Sequence, residues 1–141
     1  MRALAALFAA SLTACSPRLP GYNVRARDAW ARPADSAGTT AAYFTLVNRG
    51  RSPVELRAAS STIARSVSLH QTLQREGMSH MTAVIQPVIV VAGASLALQP
   101  GARHLMVAGL MRRLVPGDSL PLALHFTDGR ALRFVAVVRA P

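Results

Sequence analysis

The stretch PLALHFTDGRALRFVAVV, residues 121–138, contains two runs of alternating apolar residues joined by Asp128-Gly129-Arg130. A period of two is typical of β-strands, and an Asp-Gly turn between two such runs is a strong hairpin signal. Each run places its larger apolar side chains on one face. These side chains are Leu122, Leu124 and Phe126 in the first run and Leu132, Phe134, Ala136 and Val138 in the second. We therefore expect an antiparallel strand pair with one buried face.

Much of the remaining chain repeats this pattern. Runs rich in alternating apolar positions occur at AAYFTLVN (41–48), VELRAAS (54–60) and SVSLH (66–70). Turn residues such as Asn48-Arg49-Gly50 separate them, and no convincing segment after the N-terminal region has the 3.6-residue period of a helix. Roughly eight or nine short strands at this spacing predict an all-β domain, an antiparallel sandwich or Greek-key barrel.

The N-terminal segment MRALAALFAASLTACSPRLPG has the form of an export signal. Arg2 precedes an apolar run that is too short to span a bilayer as a helix. The signal ends in Leu12-Thr13-Ala14-Cys15, which resembles the lipobox of bacterial lipoproteins. We therefore predict a lipid on Cys15, the chain's single cysteine. The alternative is an ordinary secretory signal that leaves Cys15 free.

These features divide the chain into three parts. We predict a lipoprotein-type signal peptide over residues 1–14, a tether over residues 15–22 and a β-barrel domain over residues 23–141. The predicted location is the bacterial periplasm, with a lipid anchor in the membrane, and Ser16 after the lipidated cysteine favours the outer membrane.

Charge and acidic residues exclude several classes of function. The net charge is +10, and every basic residue apart from histidine is an arginine. The arginines are scattered without a basic helix or interleaved aromatic residues, so we expect no nucleic-acid binding, and an anionic membrane or an acidic partner fits better. The six acidic residues form no evident catalytic pair, and no nucleophile motif is present. We therefore predict that the protein is not an enzyme.

Histidine and methionine carry the chemistry that remains. His104 and Met106 are two residues apart on a predicted strand, so both side chains project from one face. His70 ends another predicted strand, and a connection containing Glu76-Gly77 can fold back and bring Met81 beside it. Methionine often fills gaps in cores, and any one of these residues has that alternative. Together, imidazoles and thioethers without a thiolate are ligands that suit Cu(I).

The spacing resembles a known family. His70, ten residues, Met81, twenty-two residues and then His104-Leu105-Met106 is similar to the His-x10-Met-x21-His-x-Met signature of the periplasmic PCu(A)C-type copper chaperones. The similarity covers about residues 24–138. Matching stretches are DAWARP (28–33), AAYFTLVNRG (41–50), VSLHQT (67–72) and LQPGARHLMVAGLMRRLVPGDSLPLALHFTDG (98–129).

This resemblance implies a cupredoxin-like Greek-key barrel that binds Cu(I) through His70, Met81, His104 and Met106. It also implies a membrane-anchored chaperone that delivers copper for assembly of the CuA centre of cytochrome c oxidase. The copper acceptor would be oxidase subunit II or an assembly factor. Two alternatives stay open: copper buffering or tolerance through the same site, and a metal-free β-sandwich assembly or adhesion module.

Two features depart from the family pattern. The second gap is one residue longer, and we expect the turn-containing segment 85–95 to absorb the extra residue. The family usually has Met-x-Met after a glycine, whereas GMSHM (77–81) separates its two methionines by two residues and inserts His80. Met81 has the expected spacing from His70. Met78 and His80 are auxiliary candidates that would replace Met81 or form a second, weaker site.

Overall fold

The structure is a computed structural model that describes residues 23–140. The predicted signal peptide and the whole predicted tether, including Cys15, lie outside the described residues. Within residues 23–140 no helix has the length and apolar character needed to cross a bilayer. The strands in chain order are β1 (Val24–Ala31), β2 (Thr39–Asn48), β3 (Val54–Ser60), β4 (Ala64–Arg75), β5 (Met78–Ala83), β6 (Val88–Val90), β7 (Ser95–Leu98), β8 (Arg103–Leu110), β9 (Ser119–Phe126) and β10 (Ala131–Val138).

Seven strands form a closed barrel in the order β4-β8-β2-β1-β10-β9-β3. The barrel closes where Ala59 of β3 lies opposite Val67 of β4. Three strands lie outside this ring: β5 pairs with β4, β6 with β3 and β7 with β2. The all-β prediction is confirmed. The estimated strand number was too low, because the short peripheral strands have weak sequence patterns.

One ladder differs from the antiparallel prediction. The first and last strands, β1 and β10, pair in parallel, with Trp30 opposite Val137 and Ala31 opposite Val138. Local sequence carries no signal for this pairing, because the two strands are separated by almost the whole domain. The sheet is therefore mixed, and this parallel contact joins the beginning of the domain to its end.

The β9–β10 hairpin supplies one wall of the core, as its alternation predicts. Leu122, Leu124 and Phe126 are buried, and they pair along the ladder that places Leu124 opposite Leu132. Ala136 and Val138 are also buried, while Leu132 and Phe134 are partly buried and pack against the core. Burial of each such aliphatic or aromatic side chain stabilises the fold by about 1.5–3 kcal/mol before the entropy cost of ordering.

Asn48 fixes the turn that follows β2. Its side chain is fully buried, and Nδ2 donates hydrogen bonds to the carbonyl oxygens of Ser52 at 2.9 Å and Val90 at 3.0 Å. Its Oδ1 accepts a hydrogen bond from the Gly50 amide at 2.9 Å. A buried amide is stable only when its polar atoms are paired in this way. Asn48 thus anchors the predicted turn to β6.

The structure corrects the prediction that His70 ends a strand. Strand β4 continues five residues further to Arg75, because its second half pairs with β5. Glu76 and Gly77 have φ values of 51° and 78°, and they join the two strands directly, with Arg75 opposite Met78. Positive φ at both central residues is the signature of a type I′ hairpin turn. The predicted fold-back is present, and Met81 lies on a strand rather than in a loop.

Candidate metal centre

Strand β8 presents two candidate ligands on the outer surface of the barrel. Leu105 and Val107 are fully buried in the core. Because side chains alternate along a strand, His104 and Met106 point to the opposite side. This arrangement places an imidazole and a thioether side by side on a regular strand flanked by β2 and β4.

Strand register brings the other two candidates to the same face. His70 of β4 lies directly opposite His104 of β8. On the other edge of β4, Met81 of β5 lies opposite Thr72, two residues from His70. Paired residues of neighbouring strands project to the same side of a sheet, and so do residues two apart. The four candidates, His70, Met81, His104 and Met106, therefore share one outer face spanning β8, β4 and β5.

The four side chains differ in exposure. His104 is buried at 4% exposure, His70 and Met106 are partly buried, and Met81 is 53% exposed. An open cavity of about 400 Å³ is lined by Met81, His104 and Met106, together with residues of the β1–β2 region. His70 does not line this cavity, and it approaches His104 from β4. The site is therefore enclosed at β8 and open at β5.

The hydrogen bond of His104 determines which ring nitrogen is free. Nδ1 lies 3.2 Å from the carbonyl oxygen of Ala102. A carbonyl accepts only, so Nδ1 carries the proton of this bond. In the neutral ring, Nε2 then keeps its lone pair. Orientation of a metal-binding imidazole by a backbone carbonyl is a common outer-shell arrangement.

His70 has a nitrogen without a hydrogen-bond partner in the described part of the chain. Its Nε2 lies 2.9 Å from the Ser68 hydroxyl oxygen, whereas Nδ1 is buried and unpaired. An unpaired buried polar atom costs about 1–3 kcal/mol, and a metal ion would satisfy it. The ring centroids of His70 and His104 are 5.9 Å apart. Because a metal–imidazole bond is about 2.0 Å long, one ion can span such a pair.

Electrostatics favour the neutral form of His70. Burial lowers the pKa of His70 below its usual value of 6.5, and the nearby His104 lowers that pKa further. A neutral imidazole is the form that binds a metal ion. Two partly desolvated imidazoles and two thioethers match the soft ligand set that Cu(I) prefers. In residues 23–140 no three His, Cys, Asp or Glu side chains are grouped as a metal site.

The auxiliary candidates lie on the other face of the β4–β5 hairpin. Met78 is opposite Arg75, and His80 is opposite Leu73. Because side chains alternate, Met78 and His80 project away from the side that carries Met81. His80 lines a separate cavity with Leu73, Arg75, Glu76 and Thr82. The structure therefore brings His104, Met106, Met81 and His70 to one face, and places Met78 and His80 elsewhere.

Two aromatic residues adjoin the site and were not singled out as site residues from the sequence. Tyr43 of β2 is buried, and its ring centroid is 6.3 Å from that of His104. Trp30 of β1 lies opposite Tyr43, with centroids 4.6 Å apart. The alternation in AAYFTLVN carried a signal, because Tyr43 falls between the core residues Ala42 and Phe44 and therefore points outward. Its contact with His104 depends on long-range pairing, which the sequence does not specify.

Sequence comparison identifies relatives over nearly the whole described domain. Residues 24–138 match the family model described as "LpqE-like: Putative lipoprotein LpqE-like". The chain is 32% identical over 127 residues to "Putative lipoprotein Lxx21020" of Leifsonia xyli subsp. xyli, covering 84% of this chain and 76% of that protein.

Solved structures share the fold. The structure entitled "CuI-DR1885", from Deinococcus radiodurans, is 33% identical with a TM-score of 0.60, covering 81% of this chain and 78% of that one. An apo PCuAC domain from PmoF1 superposes with a TM-score of 0.68 at 21% identity, covering 86% and 97% of the two chains, and at that identity it supports the fold alone. The resemblance to PCu(A)C-type proteins is thereby confirmed. The chain belongs to the LpqE-like family and has the cupredoxin-like β-barrel of PCuAC domains.

Proposed function

We propose that this protein is a membrane-anchored periplasmic carrier of Cu(I) that delivers copper for assembly of the CuA centre of cytochrome c oxidase. The observation that carries the proposal is the common outer face of His70, Met81, His104 and Met106. The names of similar structures support it: one is a Cu(I) form of DR1885, and another is a copper-bound PCuAC domain from PmoF2. The role is a non-catalytic one.

The ligand set accounts for the choice of metal. Thioethers select Cu(I) over zinc, magnesium or calcium, whereas imidazole is compatible with several transition metals. The described domain contains no cysteine, so its site has no thiolate that could be oxidised in an oxidising compartment. Without a thiolate, copper is held less tightly than by an acceptor that presents cysteines. Copper would therefore move from the carrier to the acceptor.

The unequal exposure of the ligands suggests the order of transfer. Met81 is 53% exposed on the peripheral strand β5, whereas His104 is 4% exposed and oriented by a backbone carbonyl. An incoming thiolate would displace Met81 first, because this ligand lies on the open side of the site. His104 and Met106 would hold the ion until the acceptor has supplied further ligands. Such stepwise ligand exchange avoids releasing free copper.

Membrane attachment forms part of the same proposal. Relatives are described as lipoproteins, and the lipobox-like sequence ends at Cys15. A lipid on Cys15 and the tether that follows would hold the barrel at the periplasmic surface of a membrane, with Ser16 favouring the outer membrane. Oxidase subunit II or an assembly factor would receive the copper.

A deletion strain tests delivery against copper buffering. At limiting copper, loss of the gene should reduce the CuA content of oxidase, and the wild-type gene should restore it while a His104→Ala/Met106→Ala gene should not. Unchanged CuA content with lower tolerance of excess copper would support buffering instead. A purified protein that binds no Cu(I) would contradict both functions and leave the metal-free assembly module.

A further inference from the structure

A row of aromatic side chains leads away from the candidate copper site. His104 is followed by Tyr43 on β2 and Trp30 on β1, with successive centroid separations of 6.3 and 4.6 Å. Residues Val135 and Val137 of β10 extend this outer surface, and each is 52% exposed. Val137 lies opposite Trp30. Tyr43 lines the cavity beside His104, and its contact with Trp30 links this cavity to the exposed valines of β10.

Two arginines lie on these aromatic rings. The guanidinium carbon of Arg139 is 4.5 Å from the centroid of Trp30, and that of Arg32 is 5.8 Å from the centroid of Tyr43. Cation–π contacts of this kind hold a guanidinium in place while leaving its edge donors free. Arg32 also lines the cavity that contains His104 and Met106. We call Arg32, Tyr43, Trp30 and Arg139 the arginine–aromatic ledge.

The charges of this ledge have no acidic partner within residues 23–140. The ion pairs in this part of the chain join Arg112 to Asp118, Arg113 to Asp35 and Arg130 to Asp128. Exposed arginines beside tryptophan and tyrosine are the composition typical of protein-binding hot spots. The net charge of +10 adds a long-range attraction for negative surfaces.

We infer that the arginine–aromatic ledge is the docking surface for the acidic face of a protein that accepts copper from this site. The inference rests on the proposed function. An acidic surface would pair with Arg32 and Arg139, and the apolar residues between them would exclude water. The acceptor's ligands would then lie over the adjacent cavity. An anionic membrane is the less suitable occupant, because lipid on the ledge would cover the mouth of the cavity and block transfer.

The test compares two variants of equal charge. Arg32→Gln/Arg139→Gln removes two charges from the ledge. Arg49→Gln/Arg51→Gln removes two charges just beyond the end of β2. At about 3.3 Å per residue, Arg49 lies about 20 Å along the strand direction from Tyr43. Each full-length protein, loaded with Cu(I) in detergent, is mixed at low ionic strength with the apo CuA domain of oxidase subunit II. Parallel measurements use the neutral chelator neocuproine, and vesicles of phosphatidylglycerol or phosphatidylcholine.

The inference predicts a selective loss. The ledge variant should transfer copper to the CuA domain roughly tenfold more slowly, while the distant variant changes the rate less than about twofold. Transfer to neocuproine corrects for any change in the site itself, so the ratio of the CuA-domain rate to the neocuproine rate should fall in the ledge variant and stay at the wild-type value in the distant variant. Equal rates to the CuA domain, or equal slowing in both variants, would overturn the inference. So would a ledge variant that loses phosphatidylglycerol binding but keeps its transfer rate. Failure of the wild type to load the domain would contradict delivery itself, and the docking inference with it.

Discussion

His70 and His104 lie opposite each other on neighbouring strands, with ring centroids 5.9 Å apart and planes inclined by 30°. The Nδ1 atom of His104 is held by a backbone carbonyl, whereas that of His70 is buried without a partner in the described domain. The pair therefore offers two nitrogen atoms to a metal ion on the same face of the sheet. One is Nε2 of the oriented His104 ring, and the other is the unpaired Nδ1 of His70. Met106 and Met81 extend this face on either side.

The two methionines of β5 should behave differently. Met81→Ala should weaken Cu(I) binding roughly 10–100-fold, the range found when even an outer-shell partner of a metal is removed. Met78→Ala is the matched control, because Met78 has similar exposure but lies on the opposite face of the hairpin. Competition with a Cu(I) chelator measures both affinities. Equal losses in the two variants, or a loss confined to Met78→Ala, would contradict the placement of Met81 in the site.

His70 should contribute a pH dependence to copper binding. Burial and the neighbouring His104 lower the pKa of His70 below 6.5, so His70 stays neutral in the fold while an unfolded chain begins to take up a proton. Its contribution to stability is complete above pH 6.5 and is lost as the pH falls through the lowered folded pKa. Copper affinity should likewise fall as the pH drops through the lowered pKa of His70, because a protonated imidazole does not bind a metal ion.

An NMR titration of the apo protein measures this pKa directly. His70 should titrate below 6.5, and a His104→Gln variant should move that pKa upward because one source of repulsion is removed. A His70 pKa at or above 6.5 in the wild type would contradict the proposed electrostatics.

Tyr43 should stabilise both the fold and the position of His104. Tyr43 is 5% exposed and its ring lies between those of Trp30 and His104, so Tyr43→Ala should lower the free energy of unfolding by about 3 kcal/mol or more. It should also weaken Cu(I) binding by loosening the His104 ring. Tyr43→Phe keeps the ring and serves as the control. Denaturant unfolding and chelator competition give the two readouts, and wild-type values for Tyr43→Ala would contradict this role.

Asn48 should affect the fold without affecting the site. Asn48→Ala leaves the carbonyl of Val90 and the amide of Gly50 without their present partners, and should cost about 2–4 kcal/mol of unfolding free energy. Copper stoichiometry of the folded variant should remain that of the wild type. A variant that unfolds like the wild type would show that the buried amide is not needed to hold the β2 turn.

The sequence predicts elements whose signals are local. The β9–β10 hairpin and strand β3 have the expected bounds to within two residues, because turn residues flank a clear period of two. Strand β5 has no apolar alternation, and all six of its residues are exposed, so it forms through the Glu76-Gly77 turn and pairing with β4. The parallel β1–β10 ladder and the contact of Tyr43 with His104 arise from distant pairing and have no local signal.

The spacing of the four candidate ligands was visible in the sequence, but their arrangement was not. Alternation was sufficient to place His104 and Met106 on one face. The position of His70 opposite His104 depends on the register between β4 and β8, which is set by pairing along the whole ladder. Likewise, Met81 projects to the opposite face from Met78 and His80 because β5 is a strand, which the sequence pattern did not predict.

A Cu(I) titration of site and control variants tests the central claim most directly. The wild type should bind one Cu(I) per chain under a chelator that suppresses weak binding. His104→Ala and Met106→Ala should lose this binding while circular dichroism shows an intact β-fold. His125→Ala and Met111→Ala, which alter residues away from the site face, should bind as the wild type does. Unchanged Cu(I) binding in both His104→Ala and Met106→Ala would contradict the account.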